Sequence, residues 1–281
     1  MEQVSTVLAG ETSFLVRTTG DGDGVPVLLL HGVPETSACW RNVAPGLAEG
    51  RRVLAPDLPG LGGSRYSGPY DVGSLVAQLV ALLDAEGIDE VDVVGHDWGG
   101  ILAFGLAARH PVRVRRLVVA NAPYHRSAPP WRAWYIAVFA LPGLPDAMFR
   151  VAGRRVVQTM LRLGWGDGPP LDAERREEYA AAYTPAAAVR AVLGYYRSIA
   201  RPRRGAVKPG SALAAAVGEV RVARTVLIWG AADPALPISV AEDAVARLGP
   251  DTTLTTVPGA GHFVVEERPE LVTELVRSAL A

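Results

Sequence analysis

Three side chains in this sequence have the types and order to share one reaction: Asp97, Asp233 and His262. Asp97 stands in Val91-Asp92-Val93-Val94-Gly95-His96-Asp97-Trp98-Gly99-Gly100, where a β-branched run meets small residues and then an apolar helical pattern. In such a strand–turn–helix, small flanking residues let the backbone turn sharply and lift one side chain above a sheet. The lifted residue is usually serine, and a carboxylate there changes the chemistry. Serine attacking a saturated carbon would leave an ether, which water does not readily cleave. A carboxylate leaves an ester, which water hydrolyses at the protein's own carbonyl. Asp97 therefore points to an sp³ electrophile carrying a leaving oxygen or halide. The plain alternative is an aspartate in an ordinary βα turn, where Asp is common.

The partners decide between these readings. His262 lies in Pro258-Gly259-Ala260-Gly261-His262-Phe263 on a glycine-rich loop after the last expected strand, a setting none of the other four histidines shares. Asp233 follows the preceding strand in Gly230-Ala231-Ala232-Asp233-Pro234. Asn121 ends the strand after the elbow helix but cannot ionise, which favours Asp233 as the acid. In His31-Gly32-Val33-Pro34 the proline has no amide hydrogen, so Val33 is the nearby free donor. The Val33 and Trp98 amides would together form an oxyanion hole at the Asp97 carboxyl. His31 reads as structural, its ring bonding loop backbone, and Glu35 as favouring the start of the following helix.

These residues need a scaffold of buried strands. Residues 4–9 and 12–18 alternate as a β-hairpin would, followed by a turn cluster over Gly20–Gly24. Val25 to Leu30, Arg52 to Pro56, the elbow strand at 91–94, Val114 to Ala120, Thr225 to Gly230 and residues 252–257 read as buried strands. Helical spacing runs over about 37–48 (Trp40, Val43, Leu47), Val72 to Leu83, from the elbow through Ala108, 238–247 and 269–280. This alternation predicts an α/β fold, a mostly parallel sheet with helices on both faces. Between Asn121 and about Arg221 the strand rhythm stops. Four helical stretches replace it: Ala133–Leu141, Ala147–Leu163, Ala173–Ala182 and Ala186–Ala200. The expected division is a core over 1–121, a helical cap over 122–221 and the rest of the core over 222–281, with the cap over the carboxyl ends of the strands.

Composition excludes several functions. The formal net charge of −1 gives no field that favours nucleic acid or an anionic membrane. The single cysteine, Cys39, rules out an intramolecular disulfide and a cysteine-based metal cluster. No metal or cofactor is expected. Met1-Glu2-Gln3-Val4-Ser5 lacks the pattern of an export signal, and no apolar run reaches membrane-spanning length. The expectation is a cytoplasmic monomer or homodimer acting on a small apolar molecule and water.

The pieces HGVPETS, APDLPGLGGS, GHDWGG, NAPY, WGAADP and PGAGHF resemble the α/β-hydrolase fold epoxide hydrolases, in the same order and over essentially the whole chain. The order nucleophile, acid, base is that of the fold. The resemblance implies two lid tyrosines that donate to the departing oxygen. The Trp134-to-Gly143 stretch supplies Tyr135, and Tyr195-Tyr196-Arg197 supplies Tyr196, with Tyr195 as the neighbouring register. Tyr124, Tyr179 and Tyr183 are assigned to packing. Trp98, Trp134, Phe139 and Phe263 are expected to line the substrate pocket. The haloalkane dehalogenases share this elbow and are the alternative, a halide then sitting between Trp98 and Trp131 or Trp134. Val33, however, lacks the side-chain donor that many of them have at that position. A silent ligand receptor on the same scaffold is the second alternative.

Overall fold

The computed structural model describes residues 2–125, 129, 131–132, 134–200, 212–222 and 224–281. Strands form where aliphatic and β-branched residues run together. β1 (Glu2–Ala9) and β2 (Thr12–Leu30) make the expected antiparallel hairpin, with Ala9 opposite Thr12. The glycine cluster expected as a turn after this hairpin lies instead inside β2, which stays in the sheet by shifting register. Val16 to Thr19 lie opposite Pro56 to Val53 of β3 (Arg51–Pro56), with partner numbers running in opposite directions. After shifts at Asp23 and Gly24, Val27 and Leu28 lie opposite Val53 and Leu54, the numbers now rising together. Glycines tolerate such irregular pairing, so a turn-like composition is carried within the sheet.

β4 (Val91–His96), β5 (Val114–Ala120), β6 (Thr225–Gly230) and β7 (Thr252–Val257) complete a seven-stranded sheet. Its order is β1-β2-β4-β5-β6-β7, with β3 also on β2. The pairs β2–β4, β4–β5, β5–β6 and β6–β7 are parallel. Leu30 lies opposite Gly95, His96 opposite Ala120, Ala120 opposite Ile228, and Gly230 opposite Val257. This register brings the carboxyl ends of five strands to one edge, so the loops beginning at His31, Asp97, Asn121, Ala231 and Pro258 start side by side.

The helix expected over 37–48 is broken into a 3-10 turn at Ser37–Trp40 and a short α1 (Ala44–Leu47), with Pro45 near its start. α2 (Val72–Ala85) begins on Asp71, whose carboxylate accepts the Ser74 amide at 3.2 Å. It buries Leu75, Leu79 and Leu82 completely, each stabilising the fold by roughly 2 kcal/mol. α3 (Trp98–Arg109) packs on β4 and β5 beside α2.

Between β5 and β6 lie only helices among the described residues: α4 (Trp134–Ala140), α5 (Leu144–Gly164), α6 (Ala173–Ala182), α7 (Ala186–Ala200) and α8 (Ala212–Val217). Ala133, the expected start of the first, lies outside the described residues. α5 starts three residues before its expected position, because Asp146 accepts the Gly143 amide at 3.1 Å and caps an earlier turn. The six-residue α8 was not expected; it packs on α2, α3 and α7. The chain closes with α9 (Ile238–Leu248), α10 (Val264–Glu267) and α11 (Pro269–Leu280). α11 packs on β5 and β6 with α1 beside it, so a helix group separate from α2 and α3 covers the sheet. Among the described residues no single helix is long and apolar enough to cross a membrane.

Candidate active site

Asp97 occupies the turn between β4 and α3 with φ 47° and ψ −116°. Asp97 and Asn121 are the two non-glycine residues with positive φ among those described. Such backbone costs on the order of 1–3 kcal/mol and persists where the surroundings enforce it. The surroundings here are glycines. A Cβ on Gly95 would stand 2.5 Å from the Gly99 carbonyl oxygen, and one on Gly99 would run into the Leu30 carbonyl.

The Val33 amide donates to Asp97 Oδ2 at 2.9 Å. The Trp98 amide opens α3 immediately after Asp97, in the first turn, where amides have no partner within the helix. Asp97 Oδ1 lies 3.6 Å from His262 Nε2, and His262 Nδ1 lies 2.8 Å from Asp233 Oδ2. Asp233 is held in turn. The Ala235 and Leu236 amides donate to Oδ1 at 2.7 and 2.9 Å, and Asn121 Nδ2 donates to Oδ2 at 2.6 Å. Asn121 accepts the Gly230 amide at 3.0 Å through its own oxygen. Dismissed as an acid, Asn121 thus supports the acid next to it.

Burial opposes charge throughout this group, and the partners overcome it. His262 is desolvated, yet the charge and hydrogen bond of Asp233 and the charge of Asp97 hold its pKa well above the usual imidazole range. Asp97 is largely desolvated too, but His262, the charge of His96 and the Val33 amide bring its carboxyl below the ordinary range. Asp233 is lowered against burial by His262, the Leu236 amide and Asn121. The two carboxylates thus favour the protonated imidazole between them.

Behind it sits a pair that sequence reasoning missed. Glu35, expected to favour a helix start, is instead fully buried, its Oε2 2.7 Å from His96 Nδ1. Thr36 caps the following 3-10 turn in its place. His96 Nε2 is 2.8 Å from the His262 carbonyl oxygen, so that nitrogen carries the hydrogen. Glu35 directly follows HGVP and His96 directly precedes Asp97, but no local pattern in the chain announces a contact between them. His31 is structural: its Nε2 accepts the Leu58 amide at 2.9 Å, leaving Nδ1 to donate to the Gly32 carbonyl at 2.7 Å.

The aromatic residues divide sharply. Tyr135 on α4 and Tyr196 on α7 meet edge to face with centroids 6.1 Å apart, and Phe139 packs on both. Trp98 stands edge-on to Tyr196 at 5.4 Å. Burial first, and then the charge of Asp97, raise both tyrosine hydroxyls above their ordinary pKa. Of the eight tyrosines, six donate to protein oxygens. Tyr66 gives to Pro69, Tyr70 to Tyr66, Tyr124 to Gly218, Tyr179 to Glu266, Tyr183 to Glu35 and Tyr195 to Pro59. Tyr135 and Tyr196 have no such acceptor among the described hydrogen bonds.

Of the expected pocket residues, Trp134 is placed differently. Trp134 is 60% exposed, as is Trp131 at 77%, because α4 turns Tyr135 and Phe139 inward and the preceding position outward. Phe263 is buried beneath the site, edge-on to His262 at 5.2 Å and closed off by Gly164 and Trp165. It packs against the histidine ring.

An α/β sheet with a carboxylate at its elbow and a helical insert defines the class of protein. A family model described as the alpha/beta hydrolase fold matches residues 25–269, and the chain belongs to that family as a hydrolase. The AB hydrolase superfamily protein YfhM of Bacillus subtilis (strain 168) is 30% identical, the match covering 93% of this chain and 92% of the relative. Epoxide hydrolase A of Mycobacterium tuberculosis is 29% identical, covering 89% of this chain and 88% of its own length. The crystal structure of Epoxide Hydrolase A from Mycobacterium thermoresistibile superposes with a TM-score of 0.81 at 26% identity, over 100% of this chain and 98% of that one.

Proposed function

We propose that this protein is an epoxide hydrolase that converts a small apolar epoxide and water into a vicinal diol. The observation that carries the reading is the pair of tyrosine hydroxyls on α4 and α7 that feel the charge of Asp97 and have no acceptor among the described hydrogen bonds. An opening oxirane needs a donor to its departing oxygen, and these two are the tyrosines left available for that role.

Asp97 Oδ1 attacks one oxirane carbon. The carbon–oxygen bond breaks, and the alkoxide takes a proton from Tyr135 or Tyr196. The helical insert, as a lid, brings those donors over the carboxylate. Loss of charge at Asp97 lets His262 release its proton to solvent, and the neutral ring then takes one from the attacking water. The hydroxide adds to the Asp97 carbonyl carbon, and the Val33 and Trp98 amides hold the oxyanion on Oδ2. Collapse breaks the bond from that carbon to Oδ1 and releases the diol with Oδ1 in it, protonated from His262. The proton of the regenerated Asp97 acid restores the tyrosine, and His262 regains its own from solvent beside the recharged carboxylate. Asp233, held by Asn121, keeps His262 oriented. The exposure of Trp131 and Trp134 weighs against the dehalogenase alternative, which needs a second indole opposite Trp98.

The test is direct. His262→Gln should still be alkylated and should accumulate a substrate-sized mass on the Asp97 peptide with styrene oxide or a larger epoxide. No adduct with any epoxide that the unaltered protein consumes overturns the mechanism. Halide release from bromoalkanes in place of epoxide turnover would select the dehalogenase. Changing Tyr135 and Tyr196 together to Phe should reduce ring opening below detection; unchanged turnover removes them from the site.

A further inference from the structure

The loop that carries His262 is bound along its length to the segment that leaves α5. The His262 amide donates to the Gly164 carbonyl at 2.7 Å, and the Asp167 amide donates to the Gly259 carbonyl at 2.7 Å. Between these two bonds lies one carboxylate. Glu267, on α10, accepts the Gly261 amide on both oxygens at 3.0 Å and the Gly166 amide on Oε2 at 2.9 Å. The two backbones touch without side chains between them, and a Cβ on Gly261 would stand 2.5 Å from the Gly166 nitrogen. Glu267 is 4% exposed.

We infer that Glu267 is a positioning residue for His262: by holding the Gly261 and Gly166 amides together it locks the base's loop to the exit of α5 and so sets Nε2 against Asp97. The inference rests on the epoxide-opening reading above. Asp233 fixes the imidazole through Nδ1, but a ring held at one nitrogen still moves with its main chain. That main chain is fixed on one side by the His96 ring, at the His262 carbonyl, and on the other by the contacts that Glu267 gathers. Two converging amide donors call for a carboxylate. A glutamine offers one acceptor oxygen and turns an NH₂ group towards an N–H, leaving a buried donor without a partner. Misplacing a reacting group by about 1 Å can cost about 10² in rate. Asp97 is carried by β4 and α3, and Tyr135 and Tyr196 by α4 and α7, so ring opening does not depend on this loop. Ester hydrolysis does.

The experiment compares Glu267→Gln and Glu267→Asp with the unaltered protein, using styrene oxide in single turnover and following the Asp97 adduct by mass. Adduct formation should keep its rate, while adduct decay slows about 10- to 100-fold in the Gln variant and less in the Asp variant. Decay at the original rate overturns the inference, as does a parallel loss in both steps, which would make Glu267 a general support of the fold. Hydrogen exchange supplies a readout free of substrate. Amides at 166–167 and 261–262 should exchange faster together in the variants while β4 and β6 keep their protection; unchanged exchange at those amides also overturns it. If neither the unaltered protein nor His262→Gln forms an adduct although the exchange behaves as expected, the epoxide reading fails and the clamp stands. If His262→Gln accumulates an adduct and the Glu267 variants do not, the clamp fails and the epoxide reading stands.

Discussion

At the scale of single residues, the central question is where the proton on His262 goes. In the free protein two carboxylates favour it on the ring against the effect of burial. Esterifying Asp97 removes one of those charges, so the His262 pKa must fall during the reaction. Ester hydrolysis needs the neutral ring, and its rate should rise with pH through a midpoint below the His262 titration of the free protein. Adduct decay after pH jumps, set against the imidazole titration by NMR, checks this; coincident midpoints contradict it. Asp97, His262 and Asp233 were legible in the sequence because each sits at a strand end in a short, chemically marked segment. Asn121 and Glu35 were not, since their partners lie 112 and 61 residues away. Trp134 was expected to face the pocket, and only the rotation of α4 turns it outward.

At the scale of elements, the β4–α3 turn works because its glycines let backbone approach backbone. Gly99→Ala has no room beside the Leu30 carbonyl. It should cost at least about 2 kcal/mol of stability and abolish adduct formation, read by thermal unfolding and by mass; an active, equally stable variant contradicts the elbow geometry. Strand and helix types were readable from their periodicity, and β5, β6 and β7 run over the expected spans. Two elements departed from pattern. The helix expected over 37–48 breaks into two short turns, and the glycines at 20–24 sit within the pairing of β2 and β3. Single-chain periodicity is blind to both, because cross-strand partners decide them.

At the scale of the whole molecule, the helical insert meets the core at a second buried carboxylate. Glu266 on α10 accepts Tyr179 and Arg175 of α6, the latter at 2.6 Å. Burial and the charge of Glu35 push its pKa up to about 7, against the pull of Tyr179, Arg175 and Arg41. A carboxyl raised in the folded state favours folding while protonated, and that contribution fades as pH rises from its unfolded value of 4.5 through about 7. The difference in melting temperature between Glu266→Gln and the unaltered protein should therefore move in the variant's favour between pH 5 and 8. A constant difference contradicts it.

The claim on which the rest stands is that a protein carboxylate makes the covalent bond. Single turnover with enzyme in excess, in water enriched in oxygen-18, tests it most directly. The account predicts an unlabelled diol, since its new oxygen is Oδ1 of Asp97, with the label found afterwards on the Asp97 peptide. Label in the diol at the first turnover, with none on Asp97, would mean that water attacks the epoxide itself and would contradict the account.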